Sequence, residues 1–249
     1  MKIIVCIKRV PDSESRIGVA ADGVSVDTAG VKFVVNPYDE YAIEEALRLK
    51  EAAGEGSVTV MTLGGDESKE TLRTALAMGA DQAVLLKGRP SVDGLGTAEK
   101  LAQALEAREF DLVMFGKQAI DDDNLQVPAM VAELLGLPCA NVVVDLQIEG
   151  GKARAEREVE GGHEALQFDL PAVVAAQKGL NEPRYPSMKG IMAAKRKPLE
   201  EVDVGDADAR LEVLAVKGPE ERAAGEIVGE GADAVPELVR KLREEAKVL

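Results

Sequence analysis

The chain has no tryptophan, one histidine (His163) and two cysteines, Cys6 and Cys139. So few cysteines and histidines all but exclude a Cys/His metal centre, and two thiols make no disulfide framework. A Ser-His-Asp centre could draw only on His163. No Gly-x-Ser-x-Gly elbow accompanies it, and its setting, Gly161-Gly162-His163-Glu164, reads as an exposed turn. A Walker loop and a Gly-x-Gly-x-x-Gly fingerprint are both missing. No apolar run approaches the ~20 residues of a membrane helix, so direct membrane insertion is not expected. Basic residues are also short. Against 45 Asp and Glu stand 30 Lys and Arg, a net charge of −15, which disfavours nucleic acid and anionic membrane surfaces as partners. Met1-Lys2 runs straight into Ile3-Ile4-Val5-Cys6-Ile7 and then Lys8-Arg9. That run is too short for a signal-peptide core, and it is expected to be the buried first strand of a cytoplasmic protein.

What is present is a globular composition, 46% hydrophobic and 30% charged over 249 residues. Short β-branched runs at 2–8, 57–63, 83–87, 111–115 and 172–177 carry apolar residues at successive positions, as strands covered on both faces do. Amphipathic helical patterns separate them. One places Ile43, Ala46 and Leu47 on a face, a second Leu72, Ala75 and Leu76, a third Ala98, Leu101 and Leu105, a fourth Val127, Val131 and Leu134. Asn36 before Pro37 reads as an N-cap with proline at the first helical position, and Gly79 and Gly136 as C-terminal glycines. Residues 141–149 and 152–159, joined by Gly150-Gly151, read as a hairpin. The fold expected is α/β: a doubly wound, mostly parallel, Rossmann-like sheet with an antiparallel hairpin insertion and a C-terminal arm. Residues 1–198 form the nucleotide-binding α/β domain. Residues 199–249 form the arm, with one strand at 211–216 and an amphipathic helix from near Pro236, packed on the domain or on another subunit.

In such a sheet, ligands bind beyond the C-terminal strand ends. The most informative loop there is Gly116-Lys117-Gln118-Ala119-Ile120-Asp121-Asp122-Asp123-Asn124-Leu125-Gln126-Val127. Gly116 permits close backbone approach, and the start of the following helix offers N–H groups to a phosphate. Three aspartates oppose this. At about 6 Å and an effective dielectric of about 20, each would repel a phosphate charge by ~3 kcal/mol. They must point away, cap amides or bond a ribose hydroxyl. Asp123 is expected as the helix N-cap, with a Mg²⁺ site the alternative.

Leu63-Gly64-Gly65-Asp66-Glu67-Ser68 echoes the pyrophosphate loop of ATP-cleaving adenylating enzymes, but lacks the leading serine and follows a later strand. A tight turn with a capped helix is the simpler reading. Leu180-Asn181-Glu182-Pro183-Arg184-Tyr185-Pro186-Ser187-Met188-Lys189-Gly190-Ile191-Met192 combines two prolines with Arg, Tyr and large apolar residues. Such a loop can present an anchor to a partner or pack on its own domain. Cys6, in the first strand, is expected to be a buried structural thiol.

Five ordered blocks resemble the β subunit of electron transfer flavoproteins. They are 5–10 (Val-Cys-Ile-Lys-Arg-Val), Asn36-Pro37-Tyr38-Asp39-Glu40 with 44–50, 71–81 (Thr-Leu-Arg-Thr-Ala-Leu-Ala-Met-Gly-Ala-Asp), Gly116 to Asp123, and Leu180 to Tyr185. The resemblance implies an electron carrier subunit without substrate turnover of its own. It pairs with an α subunit that holds most of the FAD near the subunit boundary. It accepts electrons from flavin dehydrogenases such as acyl-CoA dehydrogenase, as in fatty acid oxidation, and passes them to the electron transfer flavoprotein-quinone oxidoreductase. In the common type the β subunit holds a structural AMP. The family's adenine side falls on Cys6, Asn36, Pro37, Tyr38, Asp39 and Leu63, its phosphate side on Gly116 to Val127. Val127 stands where some relatives have a hydroxyl residue, so a backbone N–H must serve there. Asp122 stands where flavin-bifurcating relatives tend to have glycine, which favours AMP over a second FAD. Ser13 stands where some relatives present an aromatic to the flavin, and no flavin contact is assigned to it. The family's docking loop for dehydrogenases falls on Leu180, Asn181, Glu182, Pro183, Arg184, Tyr185, Met188, Ile191 and Met192, with Met188 as the apolar anchor. Glu156, Arg157 and Glu158 fall on candidate contacts to the α subunit.

Overall fold

The apolar run that opens the chain forms β1 (Lys2–Cys6). Its side chains alternate between two cores: Ile3 and Val5 face one, Ile4 and Cys6 the other. A strand buried on both faces requires this division. The computed structural model describes residues 1–219 and 224–249; residues 220–223 of the expected arm lie outside the described residues.

After β1 come β2 (Arg9–Pro11), β3 (Gly18–Val19), β4 (Val26–Asp27), β5 (Phe33–Val35) and α1 (Pro37–Ala53). Strand–helix alternation follows, with β6 (Ser57–Gly64), α2 (Ser68–Met78), β7 (Gln82–Lys87), α3 (Gly94–Glu106), β8 (Leu112–Gly116) and α4 (Val127–Leu135). The chain then runs through β9 (Cys139–Glu149), β10 (Lys152–Val159), β11 (Gly162–Asp169), β12 (Ala172–Ala176), α5 (Met188–Ala194), β13 (Leu199–Asp203) and α6 (Val235–Glu244).

The main sheet has nine strands in the order β11-β10-β9-β12-β8-β1-β6-β7-β13, and β10 alone runs against the rest. β2 pairs with β5 and β3 with β4 in two small antiparallel ribbons. Helices α1 and α2 bury Ile43, Leu47, Leu72 and Leu76 against one face of the sheet. Helices α3 and α4 bury Leu101, Leu105 and Val131 against the other. Each such fully buried side chain contributes about 2 kcal/mol. The chain leaves β1 toward β6 and β7, then crosses back to β8 on the far side of β1. The doubly wound expectation is met, and the switch point lies between β1 and β8.

Four expectations change. The hairpin turns through Gly150 and Gly151, both left-handed as such a turn requires, but continues into β11, so the insertion is a three-stranded meander. His163 lies within β11 and not in a turn. The sheet continues past the expected boundary at 198, because β13 pairs in parallel with β7 along Leu199–Asp203. Residues 211–216 form no strand, although the outer edge of β13 has no partner among the described residues; Leu211 and Leu214 are exposed. The final helix begins at Val235, as expected, and none of its residues is buried.

Candidate functional site

At the C-terminal ends of β1, β6 and β8 a cleft opens to solvent, with a cavity volume of about 120 Å³. Its apolar wall is Cys6, Leu63, Leu101, Phe115, Val127 and Pro128, and its polar lining includes Lys8, Asn36, Asp39, Ser91, Thr97, Lys117, Gln118 and Asp122.

Beside this cleft lies a knot built on the first turn of α1. Asn36 occupies the N-cap position and Pro37 the first helical position, as the sequence predicts, yet the Asn36 side chain caps nothing. Its Nδ2 donates to Asp39 Oδ1 at 2.9 Å and to the Gln118 carbonyl at 2.8 Å. Its Oδ1 accepts from the Ile120 N–H at 3.2 Å. Asp39 in turn accepts the N–H of Lys8 at 2.6 Å and that of Gly116 at 3.0 Å. One buried carboxylate thus ties the ends of β1 and β8 to α1. Burial pushes its pKa up to about 7, against the N–H donors of Lys8, Asn36 and Gly116 that favour the anion. Gly116 serves this packing: a Cβ there would lie 2.5 Å from Asp39 Oδ1 and 2.6 Å from the Tyr38 backbone. Gly116 also lines the cleft, so the missing side chain serves the packing of Asp39 and Tyr38 as well as the ligand approach expected of it.

The aspartate problem is solved internally. Lys8 Nζ lies 2.9 Å from both Asp121 and Asp122. Burial opposes the lysine charge, but the two carboxylates hold its pKa above the ordinary value. Asp123 accepts a hydrogen bond from Gln118 Nε2. It is not the N-cap of α4, which begins only at Val127 after Gln126. Asp123 and Leu125 instead adopt left-handed φ values of 49° and 54°, and the loop is three residues longer than the expected helix start at Asn124 allowed. Lys117 has no carboxylate partner among the described residues; its Nζ sits 5.2 Å from the Tyr38 ring centre. The described residues contain no cluster of acidic, cysteine or histidine side chains able to hold a metal ion.

Of the expected site residues, Cys6, Asn36, Asp39, Leu63, Gly116, Lys117, Gln118, Ala119, Asp122, Asn124, Leu125 and Val127 line the cleft. Pro37, Tyr38, Ile120, Asp121, Asp123 and Gln126 are not in its lining. The sequence reading missed Pro90, Ser91, Val92, Asp93, Gly94 and Thr97, which form the opposite wall. Their only signal was position, after β7 at the ligand-binding end of the sheet. Asp93 caps α3 by accepting the Gly96 N–H. The adenylating-enzyme reading loses its site: of residues 63–68 only Leu63 reaches the cleft, Ser68 is buried against Gly64, and Asp66 pairs with Lys69 and Lys87.

The segment from Leu180 sorts into a fixed base and a displayed tip. Leu180 is buried. Asn181 Nδ2 donates to the Tyr41 carbonyl and to Glu45. Arg184 pairs with Glu44 at 2.8 Å and Glu51 at 2.6 Å, and both raise its pKa, Glu51 more. Beyond it Tyr185 is 95% exposed, Met188 77% and Met192 68%. This is not one continuous loop, because α5 starts at Met188. Glu156, Arg157 and Glu158 are engaged within the chain, by His163, Glu164 and Gln177 respectively. Burial holds both thiols protonated, Cys6 far above the ordinary value and Cys139 at about 11.

A family profile for the electron transfer flavoprotein domain matches residues 23–207. The chain is similar to the electron transfer flavoprotein subunit beta of Bacillus subtilis (strain 168), 44% identical over 260 residues that cover all of both chains. It is 44% identical over 257 residues to the mitochondrial subunit beta of Oryza sativa subsp. indica, again covering both chains fully. Identity to the Homo sapiens subunit beta is 40% over 256 residues, all of this chain and 99% of the human one.

Proposed function

The chain belongs to the electron transfer flavoprotein β-subunit family, and from that premise we propose that its cleft holds AMP as a structural ligand while a flavin held mainly by an α subunit carries the electrons. The family role is electron transfer, with the β subunit a carrier component and not a catalyst.

The observation that carries the AMP reading is the pairing, in one cleft, of an apolar slot with a place for a single anion. Cys6, Leu63, Leu101 and Phe115 offer an apolar surface for a purine. The start of α4 offers free backbone N–H groups, and Lys117 a cation with no carboxylate partner among the described residues. Lys8 offsets Asp121 and Asp122 close by. A phosphate monoester suits that balance better than a longer phosphate chain, which would bring further negative charge beside Asp122. The flavin itself supplies the redox chemistry when bound. This chain's residues hold the adenylate, shape the boundary with the α subunit, and present Tyr185, Met188, Ile191 and Met192 to a flavin dehydrogenase. The electrons then pass to a quinone oxidoreductase. Transient redox encounters bury small interfaces, in which one apolar anchor counts heavily.

Co-expression with an α subunit, followed by denaturation and identification of the released nucleotides, tests the reading. FAD and AMP in equal amounts are expected. Two FAD per heterodimer would assign the cleft to a second flavin, as in a bifurcating carrier. Conversion of ATP to AMP and pyrophosphate, or a cleft without nucleotide, would overturn the proposal.

A further inference from the structure

Helix α5 displays the expected docking anchors, yet little holds it in place by apolar contact. It has seven residues, and Ala194 is its only buried one. Met188 and Met192 are largely exposed, while Ile191, half-exposed, lines with Glu70, Thr74, Ala77 and Lys195 an open groove along the seam with α2. A helix this short is not stable by itself in water.

Polar contacts do the holding, and they are reciprocal. Arg73, on α2, donates from Nη1 to the Ala194 carbonyl at 2.6 Å and to the Lys197 carbonyl at 2.8 Å, at the C-terminal end of α5. Lys197, just past α5, donates from Nζ to the Leu76 carbonyl at 3.0 Å and the Ala80 carbonyl at 2.5 Å, at the C-terminal end of α2. Each helix therefore has its orphan carbonyls and negative dipole end met by a cation attached to the other. The close approach depends on Gly190, where a Cβ would lie 2.4 Å from the Ala77 carbonyl oxygen. At the other end of α5, Ser187 Oγ accepts the Gly190 N–H at 3.0 Å.

We infer that Arg73 and Lys197 are positioning residues for docking: their crossed capping of α2 and α5 fixes the helix that presents Met188, Ile191 and Met192 to the electron-donating dehydrogenase. The inference rests on the docking role proposed for that segment. An anchor already ordered loses less entropy at each encounter, so loosening the clasp weakens docking and leaves the later electron transfer alone.

The test uses the purified heterodimer with its cofactors, as parent and as Arg73→Met, Gly190→Ala and Met188→Ala. Reduction of the flavin is followed with a reduced flavin dehydrogenase as donor and, separately, with dithionite. Trypsin cleavage at Lys189, Lys195 and Arg196 reports on the order of α5. Arg73→Met is expected to raise the apparent KM for the dehydrogenase about fivefold or more. It should also speed cleavage at those three sites, with kcat, dithionite reduction and bound nucleotide unchanged. Should Arg73→Met fail to fold, Gly190→Ala carries the same comparison without removing a charge. A parent-like KM in both clasp variants, alongside a raised KM in Met188→Ala, would overturn the inference and leave the docking role standing. A parent-like KM in Met188→Ala as well would overturn both.

Discussion

Asp39 shows what one buried carboxylate does when its partners come from distant parts of the chain. Its ordinary pKa is 3.8 and burial brings it to about 7. Between those values the folded chain keeps a proton that the unfolded chain has released. The contribution of Asp39 to stability is therefore fullest below 3.8, declines as pH rises toward 7, and levels off above it. Asp39→Asn removes this slope. It also turns an amide N–H toward the Lys8 or Gly116 N–H, at a cost of about 1–3 kcal/mol. Denaturant unfolding of parent and variant across that pH interval checks both statements: the parent should lose stability as pH rises, and the variant should follow a flatter line. Sequence pattern disclosed the Asn36-Pro37 helix start because that signal is local. It did not disclose that Asn36 would spend its side chain on Gln118 and Ile120, more than eighty residues on. Nor did it show Lys8 beside Asp121 and Asp122, a pairing that exists only once β1 and β8 are neighbours.

Among the elements, legibility followed burial. β1, β6, β7, β8 and β12 are covered on both faces and read as continuous apolar runs. β11 is an edge strand with mostly exposed positions, so its sequence carries no such run. α5 was hidden by the prolines before it and by its lack of an inward apolar face. Residues 211–216 show the reverse error: an apolar stretch that joins no strand and leaves Leu211 and Leu214 exposed. The segment before it is bound more closely than its composition suggested. The Ala207 N–H donates to the Arg89 carbonyl at 2.9 Å, Arg89 pairs with Asp206 at 2.7 Å, and the Arg210 N–H reaches Asp93 at 2.6 Å. Gly96 makes this possible, since a Cβ there would lie 2.0 Å from the Asp208 carbonyl oxygen. Gly96→Ala is expected to force the strap off α3, costing about 1–3 kcal/mol. Because Asp93 and Gly94 line the cleft, the variant should also retain less nucleotide, measurable by release after gel filtration.

Over the whole molecule, both apolar cores lie within the sheet, its helices and the segment as far as Ala207. Leu214 and Ile227 are more than four-fifths exposed, and α6 contributes nothing to either core. We propose that the α subunit covers this apolar surface. Deletion of residues 224–249 should therefore leave the thermal midpoint of the isolated chain within about 2 °C of the parent. The same deletion should abolish stable association with the α subunit in size-exclusion chromatography. The two sulfurs have a consequence at this scale too. Cys6 and Cys139 are unlinked and kept as neutral thiols by burial. Thiolate is the form that enters exchange or oxidation, so neither sulfur is poised for such chemistry at neutral pH.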